Sequence, residues 1–200
     1  MKTILISLVC LLFSFSALSK QVSLDTKSSK IEWLGQKKVP GGDHKGTINI
    51  KSGTVNLDQK QQLVGGTIII DMTSINDTDL TGDWKKKLEA HLNSADFFDT
   101  ANHKEATFKI TKVMPGKKNS YKVTGNLTLR GKTNTETFDI MVTKKGKAMM
   151  ASGTITFDRN KYGVTYNSEQ SVLKKLISIG KDKVIKDQIQ ITLNLMTGAI

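Results

Sequence analysis

The sequence predicts an all-β fold: one antiparallel sheet of about eight strands, closed into a barrel. Three observations carry that prediction. From Gln21 onward, apolar residues alternate with Lys, Thr and Asn at a period of two, the pattern of strands with one dry and one wet face. Clusters of turn-forming residues fall between the alternating runs, as hairpins require. No linker, repeat or shift in composition divides the 200 residues, a length that suits one long β domain. A sheet with a continuous apolar face must cover both that face and its edges, and an up-and-down sheet of this size does so by closing on itself.

The elements follow in chain order. Met1-Lys2-Thr3 leads into an apolar run from Ile4 to Phe15 and then Ala17-Leu18-Ser19, the layout of a cleavable export signal. Cleavage is expected near Ser19, giving a leader over 1–19 and a domain over 20–200. The apolar run is about a dozen residues, short of the roughly twenty that span a bilayer. The single cysteine, Cys10, sits inside that run with apolar residues on both sides, which favours ordinary cleavage over acylation. The mature chain then has no cysteine, which removes disulfides, thiol catalysis and thiolate metal sites together. A periplasmic or secreted domain stabilised by its core alone is expected.

Strand patterns appear at His44-Gly46-Ile48-Ile50, Val64-Gly66-Ile68-Ile70-Met72, Tyr121-Val123-Gly125-Leu127-Leu129, Phe138-Ile140-Val142, Gly153-Ile155-Phe157 and Ile189-Ile191-Leu193-Leu195. Turns are expected at Pro40–Asp43, Pro115–Asn119 and Lys144–Lys147. Two segments break the rhythm. Trp84, Leu88 and Leu92 recur at helical spacing behind Asp83, which predicts a short helix over 84–92 laid on the barrel with Asp83 as its cap. Val172-Leu173 and Leu176-Ile177 suggest a second helical segment over 168–179, ended near Gly180.

The charge is basic, with 30 Lys plus Arg against 18 Asp plus Glu and a net charge of +12. Only Arg130 and Arg159 are arginines, whereas nucleic-acid recognition leans on the bidentate guanidinium. The lysines are scattered over turns and wet faces, which predicts a solvated basic surface, no nucleic-acid partner, and at most peripheral contact with anionic membranes.

The dry face defines the expected interior. Gly46, Gly66, Gly125 and Gly153 share its parity, and two readings of them stand: room for a ligand, or relief that lets strands coil. If the interior holds a ligand, hydrocarbon lines it, and each buried methylene contributes about 0.8 kcal/mol. The candidate apolar lining is Trp33, Ile48, Ile70, Phe97, Phe98, Phe108, Leu127, Phe138, Phe157 and Tyr162, each of which also suits plain core.

Seven segments, in order, span almost the whole mature chain. They are Trp33-x-Gly35, His44-x-Gly46, Gly65-Gly66-x-Ile68-x-Ile70-Asp71-Met72-x-Ser74-Ile75, and Leu88-x-x-His91-Leu92-x-Ser94-x-Asp96-Phe97-Phe98-Asp99. Ala106-Thr107-Phe108, Gly125-x-Leu127-Thr128-Leu129-Arg130-Gly131-x-Thr133, and Asp158-Arg159-x-x-Tyr162-Gly163 complete the set. In this combination the chain resembles the YceI-like family of exported bacterial proteins, described as polyisoprenoid-binding and lipocalin-like. The resemblance implies an extended eight-stranded antiparallel lipocalin-like barrel with a helix over one opening, an isoprenoid or other chain lipid inside, and a homodimer as an option. Both arginines fall on family motif positions, which implies structural or headgroup roles for them. Two departures stand out: Asn102-His103-Lys104-Glu105 replaces an aromatic-Pro step, and Tyr166–Lys186 is longer than the family pattern.

At the mouth, His44 shares parity with Ile48 and joins Arg130 and Arg159 as the polar candidates for a headgroup. The three histidines lack metal-ligand spacing, and no G-x-S-x-G elbow is present, so no catalytic or metal-ligating residue is assigned. No cofactor is expected beyond a bound isoprenoid-type lipid or quinone. The expected function is an exported carrier or reservoir for an apolar chain lipid, not an enzyme. The alternatives are an enzyme acting on such a lipid in the barrel, or a basic interaction module for anionic membrane surfaces.

Overall fold

The computed structural model describes residues 19–171, 180 and 183–200. The leader expected over 1–19 lies outside the described residues apart from Ser19, as does the second expected helix, 168–179, from residue 172 onward. The strands are β1 (Lys20–Ser23), β2 (Lys30–Lys37), β3 (His44–Leu57), β4 (Leu63–Asp77), β5 (Glu105–Pro115), β6 (Ser120–Leu129), β7 (Lys132–Lys145), β8 (Ala148–Asp158) and β9 (Ile185–Met196). Helix α1 (Gly82–Asn93) lies between β4 and β5, and a 3-10 turn (Arg159–Tyr162) follows β8. Each strand from β2 to β8 pairs antiparallel with the next, β8 pairs with β9, and β9 returns to β2. Eight strands therefore close a barrel and leave no free edge in that ring. The short β1 adds to the far half of β3, with Lys20 opposite Leu57, where β2 no longer pairs.

The up-and-down order gives the barrel two unlike ends. One carries α1, the β2–β3 and β6–β7 turns and the Arg159–Tyr162 turn; the other carries the β3–β4, β5–β6 and β7–β8 hairpins. Alternation places Val123, Leu127 and Leu129 of β6 and Ile140 and Val142 of β7 in the core, with Thr124, Thr128, Thr133 and Thr137 outside, where Thr124–Thr137 and Thr128–Thr133 bond across the strands. Such cross-strand pairs fix register on a wet face.

Three expectations need correction. Val64 does not share the dry face: it is 48% exposed, while Leu63 is buried. The ladder slips between Asn56 and Leu57, and Gly66 adopts φ +152°, so the strand changes faces before Ile68. A one-residue slip of this kind inverts every side chain beyond it. Second, the strand pattern read from Val64 to Met72 continues to Asp77; Asp71 accepts from Thr73 N–H and Oγ1, and Ser74 Oγ, donating to Asp71 O, accepts Asn49 N–H at a further break in register. Third, Thr81, not Asp83, occupies the α1 cap position, and Trp84 is 72% exposed with the Lys87 ammonium over its ring. The face turned to the barrel is Lys85, Leu88, Glu89 and Leu92. Lys85 Nζ donates to Asp77 O and Asn76 Oδ1, and Glu89 Oε1 accepts Asp77 N–H. With these bonds to β4, the helix keeps Leu88 and Leu92 toward the barrel and leaves Trp84 outside.

The inward glycines are explained by close approach. A Cβ at Gly125 would lie 2.5 Å from the Phe108 ring and 2.7 Å from Lys109 O. At Gly46 it would overlap Asn76 O and the Trp33 ring on the paired strand. The space beside these two glycines is therefore taken by aromatic rings and neighbouring backbone.

Candidate functional site

The barrel encloses a cavity of about 200 Å³. Its wall is built from the inward positions of every strand in the ring: Ile31 and Trp33 on β2, Ile48 on β3, Ile68 and Ile70 on β4, Phe108 on β5, Leu127 on β6, Phe138 on β7, Phe157 on β8, and Ile189 and Leu193 on β9. Leu92 of α1 and Phe97 and Phe98 of the following loop also border it. Nine of the ten expected apolar residues thus meet at one cavity. Trp33 is held by its indole N–H, which donates to Thr47 O at 3.2 Å. Phe108 and Phe138 pack with ring centres 5.4 Å apart.

The tenth, Tyr162, does not border the cavity. It is fully buried behind Phe157, edge-on at 5.4 Å, and its hydroxyl donates to Glu136 Oε1 at 2.8 Å. Burial, then the hydrogen bond to the Glu136 carboxylate, then its charge, pushes the phenol well above its ordinary value. Glu136 itself reaches the wall, as do Ala151 and Ser152, none of them singled out in the sequence. Glu136 lies two and four residues before Phe138 and Ile140, so its parity was a usable signal.

The three polar residues expected at the mouth all lie at the α1 end, but they do not converge. Only Arg159 borders the cavity. Its guanidinium is 1% exposed and donates to three backbone carbonyls: Lys186 O at 3.1 Å, Val164 O at 3.0 Å and Ile185 O at 3.2 Å. Burial lowers its pKa, and the charges of Asp187, Asp158 and Glu169 oppose that shift. Arg130 donates to Gly163 O at 2.8 Å and Ala95 O at 2.6 Å. The two arginines therefore hold the chain after β8 from both sides, through adjacent carbonyls of Gly163 and Val164. His44 points to Asp79, with Nδ1 3.0 Å from Oδ2, and not into the cavity. The tight bonding around Asp79 at the β3 start draws the imidazole to the rim.

The α1 end is further closed by an aromatic group. His91 of α1 meets Phe97 and Tyr166 edge-on at 4.8 and 4.6 Å, and Phe97 lies 5.4 Å from Tyr166. Among the described residues no helix is long and apolar enough to cross a membrane. Chemically, the arrangement is a hydrocarbon chamber whose few polar neighbours bond to the protein's own backbone and side chains. It is suited to holding an apolar chain by dispersion and exclusion of water.

Comparison with known proteins places this geometry. A Staphylococcus aureus UPF0312 protein is 34% identical over 99 residues, covering 46% of this chain and 54% of that protein. A Vibrio campbellii UPF0312 protein is 29% identical over 138 residues, covering 66% of this chain and 67% of that protein. The match to the Staphylococcus aureus and Vibrio parahaemolyticus relatives thus spans about half their length, 54% and 48%. Among solved structures, Burkholderia cenocepacia BcnA superposes with a TM-score of 0.66 at 21% identity, covering 88% of this chain and 99% of that one. A polyisoprenoid-binding domain from Saccharophagus degradans gives 0.62 at 16% identity, covering 89% and 98%. Identities this low show a shared fold. The model of the YceI-like domain matches residues 23–197, and the chain accordingly belongs to the YceI-like domain family.

Proposed function

We propose that this protein is an exported carrier or reservoir that holds a long apolar chain, of isoprenoid or similar type, inside its barrel. The observation that carries the proposal is the cavity wall: strands from the whole ring contribute hydrocarbon to one chamber. The Saccharophagus degradans polyisoprenoid-binding domain, which shares the fold, supports the same ligand class. The commitments of the ionisable groups at the wall support binding without turnover: Arg159 is bonded to backbone carbonyls, Glu136 to Tyr162 and Lys186 to Gln36. The apolar start of the sequence, Ile4 to Phe15, supports export to the periplasm or beyond, where a carrier would keep such a chain out of water.

The test is titration of the delipidated protein with a polyprenol and with a long-chain quinone, followed by tryptophan fluorescence in a Trp84→Phe background that leaves Trp33 as the reporter. Saturable one-to-one binding that Ala151→Phe weakens at least about tenfold, equivalent to 1.4 kcal/mol, supports the proposal. Absence of binding to either ligand refutes it.

A further inference from the structure

A second site lies on the rim of the α1 end, independent of the cavity. His44 begins β3, Asp77 ends β4, and Asp79 lies in the loop that leads into α1. One ligand atom from each of the three lies within 4.8 Å of the others. Asp77 is 0% exposed, and its two oxygens differ. Oδ1 accepts the backbone N–H of Leu80 at 2.7 Å and of Asp79 at 3.3 Å, while Oδ2 is buried with no hydrogen-bond partner. A buried carboxylate oxygen left bare is strongly unfavourable unless a positive group or a proton meets it. Lys85, whose ammonium reaches this loop, donates to Asn76 Oδ1 and the Asp77 backbone carbonyl and leaves Oδ2 unmet.

We propose that His44, Asp77 and Asp79 bind a divalent transition cation of the zinc class, and that the cation fastens the loop entering α1 to strands β3 and β4. One imidazole nitrogen and two carboxylate oxygens form a borderline donor set that suits Zn²⁺ and its late first-row neighbours. Calcium and magnesium instead require six or more oxygens or several retained waters. The 3.0 Å between His44 Nδ1 and Asp79 Oδ2 is the spacing that two neighbouring ligands adopt on a metal with bonds of about 2.0–2.1 Å. A tetrahedral site with bonds of about 2.0–2.1 Å sets its ligands about 3.4 Å apart, so the three atoms, within 4.8 Å of one another, close on the ion through a shift of up to about 1.4 Å.

The outer shell is already built. Asp79 Oδ1 accepts Lys45 N–H at 2.7 Å, and Asp77 Oδ1 is fixed by the loop, so each carboxylate has one oxygen held by the backbone and one left over. Orientation of this kind, by the second oxygen of a ligating carboxylate, is what tunes metal sites. Three protein ligands leave at least one position for water. The cation would bridge β3, β4 and the start of the helix that borders the cavity, and would therefore stabilise the closed α1 end without touching the ligand chamber.

The experiment is isothermal titration of the chelator-treated protein with Zn²⁺, alongside His44→Ala, Asp79→Asn and Asp77→Asn, with thermal unfolding in parallel. One-to-one binding that weakens at least about tenfold in His44→Ala and in Asp79→Asn, with a Zn²⁺-dependent rise in Tm lost in both, supports the site. Asp77→Asn alters a buried group; if it does not fold, the other two variants, at the partly exposed rim, decide the question. No one-to-one binding overturns the proposal and leaves a proton between Asp77 and Asp79 as what meets the bare oxygen. Binding retained in both rim variants overturns it as well, because the ion then sits elsewhere, for example at His91 and Asp96.

Discussion

Replacing Arg159 with Met removes a buried charged group that is bonded to the chain after β8 at the α1 end. The guanidinium is 1% exposed, so solvent does not screen its interactions. The variant loses three N–H to carbonyl bonds, to Val164, Ile185 and Lys186. It also leaves the charges of Asp158, Asp187 and Glu169 without their buried counter-charge, next to an Asp187 Oδ1 that already lacks a partner. Breaking one side of a buried charge network costs about 3–5 kcal/mol. Met restores part of the apolar contact of the Arg stem, which places the expected loss near the lower end, about 3 kcal/mol. At about 2–4 °C per kcal/mol for a domain of this size, Tm should fall by roughly 6–12 °C, and the urea midpoint should fall with an unchanged slope. Lys in place of Met should recover little, because one ammonium cannot reach three divergent carbonyls. A drop in Tm of less than about 2 °C for Arg159→Met would show that the network is not stabilising and refute the reasoning.

Three further outcomes follow from the same physics. Tyr162 keeps its proton in the folded state beyond its ordinary pKa near 10. Above that pH the unfolded chain therefore loses a proton that the folded chain retains, and the wild type should lose stability relative to Tyr162→Phe by up to about 1.4 kcal/mol per pH unit. A difference between the two proteins that stays constant between pH 9 and about 11.5 would contradict this. Gly125→Ala should destabilise by about 1–3 kcal/mol in denaturant unfolding, because its Cβ meets the Phe108 ring at 2.5 Å and a strand carbonyl at 2.7 Å; Gly35→Ala, with nothing within 4 Å of its Cβ, serves as the comparison. Ala151→Phe adds a ring at the cavity wall and should reduce lipid binding while leaving Tm within a few degrees; a loss of about 3 kcal/mol or more would mean that the interior is already packed.

Much of the barrel was legible because its signal is local and repeats. Along β6 and β9, alternation alone gives the correct inward residues, and Leu127, Ile191 and Leu193 all reach the cavity. The pattern misleads where the ladder slips: Val64 reads as inward, yet the break between Leu63 and Gly65, opposite Leu57 and Asn56, turns it outward. A slip belongs to two strands at once, so one strand's sequence does not display it. The exposure of Trp84 is of the same kind, since Lys85 and Glu89 bond to Asp77 at the end of β4, polar contacts that the helical spacing of apolar residues does not display. Parity identified His44 as inward, but Asp79, 35 residues on, claims its imidazole. The arginines were marked by their positions in the family motifs, whereas their carbonyl partners, Ala95 after α1 and Gly163, Val164, Ile185 and Lys186 beyond β8, become visible only in three dimensions.

Whether the chamber holds a chain lipid is tested most directly by a native mass spectrum of the protein purified from its host under mild conditions. The expected spectrum is a charge-state series heavier than the polypeptide by the mass of one isoprenoid or other long-chain lipid, which collisional activation releases and which Ala151→Phe carries at reduced occupancy. A spectrum showing only the bare polypeptide, for a folded protein that also takes up no polyprenol or quinone, would contradict the proposal.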